Sequence, residues 1–232
     1  MSGRAAESPG PSGQTLRRLV GDAVWTAMLA HTYERRHPAG ITLLRQGQPG
    51  THVLVLRGGV AKVIRHERDG GLTLLAFRGP GELLGEVAVL DDGVRSASVR
   101  TISHCSVGVM SKADFLRFVT EHSLFPVLVR YALTKLRESD LARGGGDVPT
   151  RLAAALAYLA DICEPSTPSP GQPLELALTR DELAQYLATS RNTITAALCQ
   201  LEPFQVRAGR KRIVIEDLPA LRRAAADHRN AL

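Results

Sequence analysis

The spacing of apolar residues changes along this chain, and each change predicts a different kind of element. Near the start, apolar residues recur every three or four positions, which predicts a short helix that packs on the domain after it. From Pro38 to Met110 the apolar residues lie in short runs between glycine turns, which is typical of strands. The apolar positions of the first helix are Leu16, Leu19, Val20, Ala23 and Ala27.

Five strands are predicted in the glycine-rich region. Each run is short, and turns such as Asp69-Gly70-Gly71 separate one run from the next. Strands of this length and spacing favour an antiparallel roll or barrel. The predicted strands are Thr51–Arg57, Val60–Arg65, Leu72–Phe77, Ala97–Thr101 and Ser106–Met110.

Helical spacing returns after Met110. Lys112–Thr120 is predicted to be a helix capped by Ser111, and Pro126 can open a longer helix after it. The longer helix has an apolar stripe that a complete roll leaves uncovered. We therefore expect a helix of a second subunit to cover the stripe, and packing on its own roll is the alternative. The stripe consists of Phe125, Leu128, Val129, Ala132, Leu133 and Leu136.

The longer helix should end near Arg143, because the run Gly144–Gly146 is costly inside a helix. We interpret this run as a hinge between two domains. Pro149 and Thr150 begin the second domain, and a Pro/Ser-rich loop follows its first helix. The apolar positions of that helix are Leu152, Leu156, Leu159 and Cys163.

Two capped helices follow in the second domain. Thr179 and Glu182 have the spacing of a capping box, which opens the first helix. Ala188-Thr189 breaks this helix, and Ser190 caps a second one, Arg191–Leu201. Two short helices joined by such a tight turn are typical of a helix-turn-helix. The residues predicted to be buried in this pair are Ala184, Ile194 and Leu198.

The start of the second helix presents polar side chains where recognition helices contact base edges. Arg191 suits guanine O6 and N7, Asn192 suits adenine, and hydroxyl side chains suit phosphates. Gln205–Ala208 and Arg212–Ile215 flank a turn and read as a hairpin or wing, whose basic residues suit the DNA backbone. An ordinary helical hairpin with a solvated polar face is the alternative. The candidate DNA-binding residues are Thr179, Ser190, Arg191, Asn192, Thr193, Thr195, Arg210, Lys211 and Arg212, and Arg207 adds a further basic residue to the wing.

A candidate ligand site lies inside the roll, in the stretch from Gly81 to Val99. Gly85 lets a ligand approach the backbone, because no Cβ is in the way. A helical turn after it would direct unpaired N–H groups at an anion. Arg95 offers a planar fork of donors to phosphate oxygens.

Three neighbours complete this candidate site. Ser96 adds a hydroxyl, and the Ala97 N–H adds another donor. Glu86 repels phosphate, so its presence makes sense if it accepts a hydrogen bond from a sugar hydroxyl of the same ligand. An anion, a sugar hydroxyl and a tight turn together indicate a cyclic nucleotide. The alternative is a surface salt bridge between Glu86 and Arg95 beside a hairpin.

Composition narrows the class of protein. The chain has 232 residues and a formal net charge of +6, which permits an anionic partner without identifying one. Its three cysteines, Cys105, Cys163 and Cys199, are scattered, which argues against a zinc knuckle or an iron–sulfur cluster and fits reduced core residues. No apolar run reaches the ~20 residues of a membrane span. We expect a cytoplasmic protein that spans no membrane.

The order of roll, long helix, hinge and winged helix-turn-helix resembles the Crp/Fnr family of bacterial transcription factors. The resemblance covers roughly Tyr33 to Leu221. The motifs that carry it are Leu44-Arg45-Gln46-Gly47, Gly85-Glu86, Arg95-Ser96-Ala97, Asp147-Val148-Pro149 with Arg151, Leu178-Thr179 with Leu183-Ala184, and Ser190-Arg191.

This resemblance implies an α+β fold: an antiparallel β-roll of the cyclic-nucleotide-binding kind, a dimerisation helix and a winged helix-turn-helix. The expected division is a disordered tail at 1–14, the roll with flanking helices at 15–121, the dimerisation helix and hinge at 122–146, and the DNA-binding domain at 147–232. The implied partners are double-stranded DNA, a second copy of the chain and RNA polymerase.

The resemblance also assigns ligand contacts. Glu86 would hold the ribose 2′-hydroxyl of cyclic AMP, as an allosteric ligand rather than a cofactor, and Arg95 and Ser96 would hold its phosphate. Ser139 on the long helix would meet the adenine. Ligand bound between roll and helix would then shift the protein toward its DNA-competent arrangement.

Several positions depart from the family pattern. The long helix is short, Gln48 stands where an acid is common, and Ala188 replaces a turn glycine, which would place alanine in a left-handed conformation at a cost of roughly 1–2 kcal/mol. Asn192 and Ala196 replace an acidic and a basic base-contacting residue, so the DNA site should differ.

Three other functions remain open. One is a regulator of the same fold that binds DNA without a nucleotide or senses another metabolite. Another is a module that acts on a protein partner and has lost DNA binding. The third is an enzyme, which we do not expect, because the sequence offers no Ser/His/Asp order, metal-ligand cluster or phosphate loop with a lysine.

Overall fold

The computed structural model describes residues 15–68, 70–141, 147–163 and 173–227. The predicted disordered tail 1–14, the glycine hinge and most of the Pro/Ser-rich loop lie outside the described residues. In chain order the elements are α1 (Leu16–Ala30), β1 (Tyr33–His37), β2 (Thr42–Leu44), β3 (His52–Gly58), β4 (Ala61–His66), β5 (Leu72–Arg78), β6 (Leu83–Leu84), α2 (Glu86–Leu90), β7 (Ser98–Thr101), β8 (Cys105–Ser111), α3 (Lys112–Glu121), α4 (Phe125–Leu141), α5 (Val148–Cys163), β9 (Leu174–Leu176), α6 (Arg180–Tyr186), α7 (Arg191–Leu201), a 3₁₀ turn (Glu202–Phe204), β10 (Val206–Gly209), β11 (Arg212–Ile215) and α8 (Leu218–Asp227).

Two antiparallel four-stranded sheets form the roll within the described residues. One has the strand order β1-β8-β3-β6 and the other β2-β7-β4-β5. Alternation along β3 divides the core, because Val53 and Val55 pack against helices whereas Leu54 and Leu56 pack inside the roll. All five predicted strands are confirmed to within two residues. The sequence did not predict β1, which is polar, or β2 and β6, which are only three and two residues long.

Three helices cover the outer face of the first sheet. α1 packs there as predicted, and Trp25 and Met28 are buried against Phe115 and Phe118 of α3. Gly21 has φ +81°, which interrupts α1. Ser111 caps α3 as predicted, since its hydroxyl accepts from the Asp114 amide.

Helix α4 has two apolar faces instead of the one that the sequence predicts. Leu128 and Tyr131 are buried against the roll. The other face is exposed, although its residues are large and apolar. Its exposed residues are Phe125, Val129, Leu133 and Leu136, at 50%, 60%, 52% and 64%. The prediction of a single apolar stripe on α4 was therefore wrong, because Leu128 packs in the core of its own protomer.

The second domain is a winged helix-turn-helix. Helices α5, α7 and α8 pack together, and a three-stranded sheet of order β10-β11-β9 forms the wing. The predicted capping box is confirmed: Thr179 Oγ1 accepts from the Glu182 amide, and the Glu182 carboxylate accepts from the Thr179 amide. Ser190 caps α7, and Ala184, Ile194 and Leu198 are buried as predicted.

The domains pack directly on one another. Lys62 Nζ of β4 lies 2.5 Å from Glu182 Oε1 of α6, and both side chains are largely buried. The rings of Phe77 and Tyr186 have centroids 4.6 Å apart. This contact was not predicted, because nothing in the local sequence marks residues separated by more than a hundred positions as partners.

The cysteine expectation is partly wrong. Cys105 is buried, but Cys199 is exposed on α7. The side chain of Cys163 lies outside the described residues. Among the helices that the structure describes, none combines the length and apolarity needed to cross a bilayer.

The turn between α6 and α7 holds Ala188 at φ +50°, as the sequence predicted. Ala188→Gly should relieve this strain, and we expect the free energy of unfolding to rise by about 1 kcal/mol. Ala196→Gly is the matched control, because a glycine inside α7 should lower that free energy by about 1 kcal/mol. Urea unfolding measures both. An equal loss of stability in the two variants would contradict the assigned strain.

Candidate ligand pocket and nucleic-acid interface

A cavity of about 240 Å³ lies between the roll and α4. All five ligand-site residues predicted in the roll line it, and α4 contributes Ala132 and Lys135. Ser139 lies farther along α4, and its side chain is outside the described residues. The predicted residues in the lining are Gly85, Glu86, Arg95, Ser96 and Ala97.

Gly85 is fixed by its surroundings as well as by its backbone. It is the N-cap of α2 and has φ +81°, in the left-handed region. A Cβ at this position would collide with the Arg95 guanidinium and lie 2.7 Å from Leu44 Cδ1. Only glycine therefore lets Arg95 lie against the start of α2.

Arg95 is 4% exposed and lines the cavity. One terminal nitrogen donates to the Gly85 carbonyl oxygen and the other to the His52 carbonyl oxygen. Burial lowers the pKa of Arg95, and the nearby Glu86 carboxylate opposes that shift. Among the described residues Arg95 forms no ion pair, so the surface salt bridge with Glu86 is not formed.

Glu86 opens α2 and is half-buried beside Arg95. Burial raises the pKa of its carboxyl, and its own backbone amide and the charge of Arg78 oppose the shift. A carboxyl that is costly to ionise suits a neutral hydroxyl as its hydrogen-bond partner. Ser96 is exposed and Ala97 is buried, and both line the cavity.

A charged cluster supports the wall toward α4, and sequence reasoning missed it. Glu82 is 3% exposed. Its Oε1 lies 2.6 Å from Lys135 Nζ, and its Oε2 lies 3.2 Å from Arg78 Nε. Arg78 and Lys135 both line the cavity. The sequence did offer one signal for this cluster: Lys135 lies one helical turn after Tyr131, on a helix face that is otherwise apolar.

The predicted DNA-contacting face is exposed at the start of α7. Arg191, Asn192, Thr193 and Thr195 all face solvent. The Arg191 Nε lies 3.6 Å from Asp181 Oδ1, and both side chains are mostly exposed. The hydroxyls of Ser190 and Thr193 lie 2.8 Å apart, and the Thr179 hydroxyl serves the capping box.

The wing carries its free charge at its tip. Two of its four arginine and lysine side chains are paired: Arg212 lies 3.3 Å from Glu175, and Arg207 lies 3.5 Å from Glu216. Within the described residues, Arg210 and Lys211 have no such pair and are exposed at the turn between β10 and β11. The positive charge of the wing is therefore concentrated at these two residues.

Two family models match the chain. A cyclic nucleotide-binding domain matches residues 34–122, and a Crp-like helix-turn-helix domain matches residues 150–224. The chain belongs to the Crp/Fnr family of transcriptional regulators. The predicted α+β architecture of roll, helices and helix-turn-helix is confirmed.

Relatives of this chain include named transcriptional regulators. The chain is 28% identical to the CRP-like cAMP-activated global transcriptional regulator of Mycobacterium tuberculosis, over 81% of this chain and 86% of that protein. It is 28% identical to the cAMP-activated global transcriptional regulator CRP of Escherichia coli, over 75% and 84%. The c-di-GMP responsive global regulator CLP of Xanthomonas campestris has 25% identity and a TM-score of 0.57, over 84% and 99%. Family members therefore respond to different cyclic nucleotides.

Proposed function

We propose that this Crp/Fnr regulator binds specific DNA under the control of a cyclic nucleotide, with cyclic AMP as the first candidate. The observation that carries the proposal is the cavity in which Arg95, Ser96 and Glu86 meet around Gly85. It offers one arginine fork and one hydroxyl to a phosphate, next to a carboxyl suited to a sugar hydroxyl. The other cations of its lining are held by Glu82, which favours a ligand with one phosphate over c-di-GMP, which has two.

Each residue then has a role. Arg95, Ser96 and the Ala97 amide hold the phosphate, Glu86 accepts from the ribose 2′-hydroxyl, and Gly85 allows close approach. The base faces α4, where Ala132 and Lys135 line the cavity. Ser139 remains a candidate for the base. The proposed domains stay at 15–121, 122–146 and 147–232, after the tail 1–14.

Calorimetric titration of the full chain with cyclic AMP, cyclic GMP and c-di-GMP tests the ligand. Saturable binding of one nucleotide per protomer, tightest for cyclic AMP, is the expected result. If the chain binds none of the three but still binds DNA, the proposal is wrong. The protein is then a regulator that binds DNA unaided or senses another metabolite.

We propose that the exposed face of α4 pairs with the same face of a second copy. Phe125, Val129, Leu133 and Leu136 recur at spacings of four, four and three residues, which makes a continuous seam. Each is at least half exposed in the single chain. A two-fold axis along this seam would bury all four side chains twice, as in an isologous dimer.

In the dimer, the two α7 helices would enter successive major grooves about 34 Å apart. Arg191 and Asn192 would contact base edges, and Thr179, Ser190, Thr193, Thr195, Arg210, Lys211 and Arg212 would contact the phosphate backbone. We propose RNA polymerase as the protein partner and the cytoplasm as the location.

Arg191 and Arg210 should differ in their effect on DNA binding. Arg191→Ala should cost about 1–3 kcal/mol for each half-site and relax the base preference at one position of each half-site. Arg210→Ala should weaken binding to all sequences similarly and reduce the salt slope by about 1 for each protomer, which is about 2 for the dimer. Fluorescence anisotropy over a range of KCl concentrations, with a duplex selected from a random pool, measures both.

Arg117→Ala is the matched control for this experiment. Arg117 is an exposed arginine of α3 that pairs with an aspartate, as Arg191 does, and it lies on the roll. Equal losses in Arg117→Ala and Arg191→Ala would mean that only net charge matters, which would contradict a reading role for α7.

A further inference from the structure

The outer face of sheet β2-β7-β4-β5 is covered by the DNA-binding domain. Apolar side chains of the roll are buried in one cluster with α5, α6 and α7. An apolar contact of this kind holds two surfaces together but is not directional. The roll residues in the cluster are Val60, Ile64, Leu74, Phe77 and Ile102.

An ion pair lies within this apolar contact. Lys62 Nζ lies 2.5 Å from Glu182 Oε1 and donates to the Ala177 carbonyl oxygen at 2.9 Å. The two charged side chains are 5% and 15% exposed. Burial lowers the pKa of Lys62, and its hydrogen bond to Glu182 opposes that shift. A buried pair adds little net stability, but any arrangement that separates its members inside the contact leaves a buried charge uncompensated. The pair therefore restricts how the domains can dock.

The pair holds the start of the helix-turn-helix. Glu182 uses its second oxygen to accept from the Thr179 amide at 2.8 Å, so one carboxylate both caps α6 and pairs with Lys62. The Leu74 amide of β5 donates to Gln185 Oε1 of the same helix at 2.8 Å. Because α7 packs on α6, the direction of the recognition helix relative to the roll follows these contacts.

The same strand also faces the ligand cavity. Val63 follows Lys62 in β4 and lines the cavity. Successive side chains of a strand point to opposite faces. β4 therefore has one face toward the cavity and the other toward the helix-turn-helix, separated by the thickness of one strand.

We propose that Lys62 is a positioning residue, which holds α6 through Glu182 and thereby ties the direction of the recognition helix to the state of the cavity. The positioning stands on the contacts above, whereas its control by a cyclic nucleotide rests on the proposed function. The two parts are tested separately.

Hydrogen exchange of the full chain without ligand tests the positioning. In Lys62→Met, peptides covering β5 and α6 should exchange roughly tenfold faster, because loss of the pair loosens the contact that protects the Leu74 amide. Arg65→Met is the matched control, since Arg65 lies on the same strand and pairs with Glu67 at the surface. Lys62→Arg should restore protection. Equal exchange in Lys62→Met and Arg65→Met would overturn the proposal.

DNA titration with and without cyclic AMP tests the coupling. In Lys62→Met the factor by which cyclic AMP changes DNA affinity should fall toward one, while cyclic AMP binding to the free protein stays close to wild type. Glu182→Gln should behave alike and keeps a side chain able to close the capping box. An undiminished factor in both variants would overturn the coupling. If the wild type binds no cyclic nucleotide, the proposed function fails, and the exchange experiment still decides the positioning.

Discussion

Replacement of Arg95 by leucine should lower the affinity for cyclic AMP by roughly a hundredfold or more. Charge-assisted hydrogen bonds contribute about 1.5–3 kcal/mol each, and the guanidinium can direct two of them at one phosphate. The leucine removes both donors and also the contacts to the Gly85 and His52 carbonyl oxygens. Isothermal titration calorimetry gives the affinity, and thermal unfolding shows how much stability is lost.

Arg100→Leu is the matched control for Arg95→Leu. Arg100 also donates to a backbone carbonyl oxygen, that of Gly40, but it is exposed on β7 and does not line the cavity. Its variant should bind cyclic AMP as the wild type does. Arg95→Lys should be intermediate, because it keeps the charge and loses the fork. Wild-type affinity in Arg95→Leu would remove Arg95 from the phosphate site.

Replacement of Leu133 by glutamate should separate the dimer. The carboxylate would lie at the two-fold seam of α4, facing its own copy in a surface that dimerisation removes from water. We expect the dimer dissociation constant to rise by about a hundredfold or more, because a buried unpaired charge costs several kcal/mol. Affinity for a duplex with two half-sites should fall with it. Sedimentation equilibrium measures the assembly.

Leu72→Glu controls for the introduced charge. Leu72 is 42% exposed and begins β5, whereas Leu133 on α4 is 52% exposed. The control should sediment as the wild type does. If Leu133→Glu stays dimeric, the seam lies elsewhere and the exposed face of α4 has another use.

The elements that the sequence predicts well depend on contacts within a few residues. Ser111, Thr179 and Ser190 cap their helices through an amide three residues ahead, so the pattern and the contact occupy the same short stretch. The left-handed turn at Ala188 is likewise a local property. The candidate ligand-site residues of the roll line one cavity for the same reason, since Gly85 to Ala97 form one short helix and the turn after it, between β6 and β7.

The features that the sequence did not predict depend on residues far apart. Lysine and glutamate side chains are usually exposed to solvent, so the sequence around Lys62 and Glu182 does not predict that they are buried. Only the docking of the two domains buries them. Lys135 joins the cavity through Glu82, which is 53 positions away. β1 was not predicted because as an edge strand it is largely exposed and polar. Cys199 is exposed because its side of α7 faces away from the core that holds Leu198.

The most direct test of the account is an anisotropy titration of the full chain on its selected duplex, with and without saturating cyclic AMP. The account predicts that the nucleotide changes DNA affinity by about tenfold or more, within the usual range of allosteric coupling, and that Arg95→Leu abolishes the change. Identical binding curves with and without the nucleotide, from a wild type that binds the duplex, would contradict it.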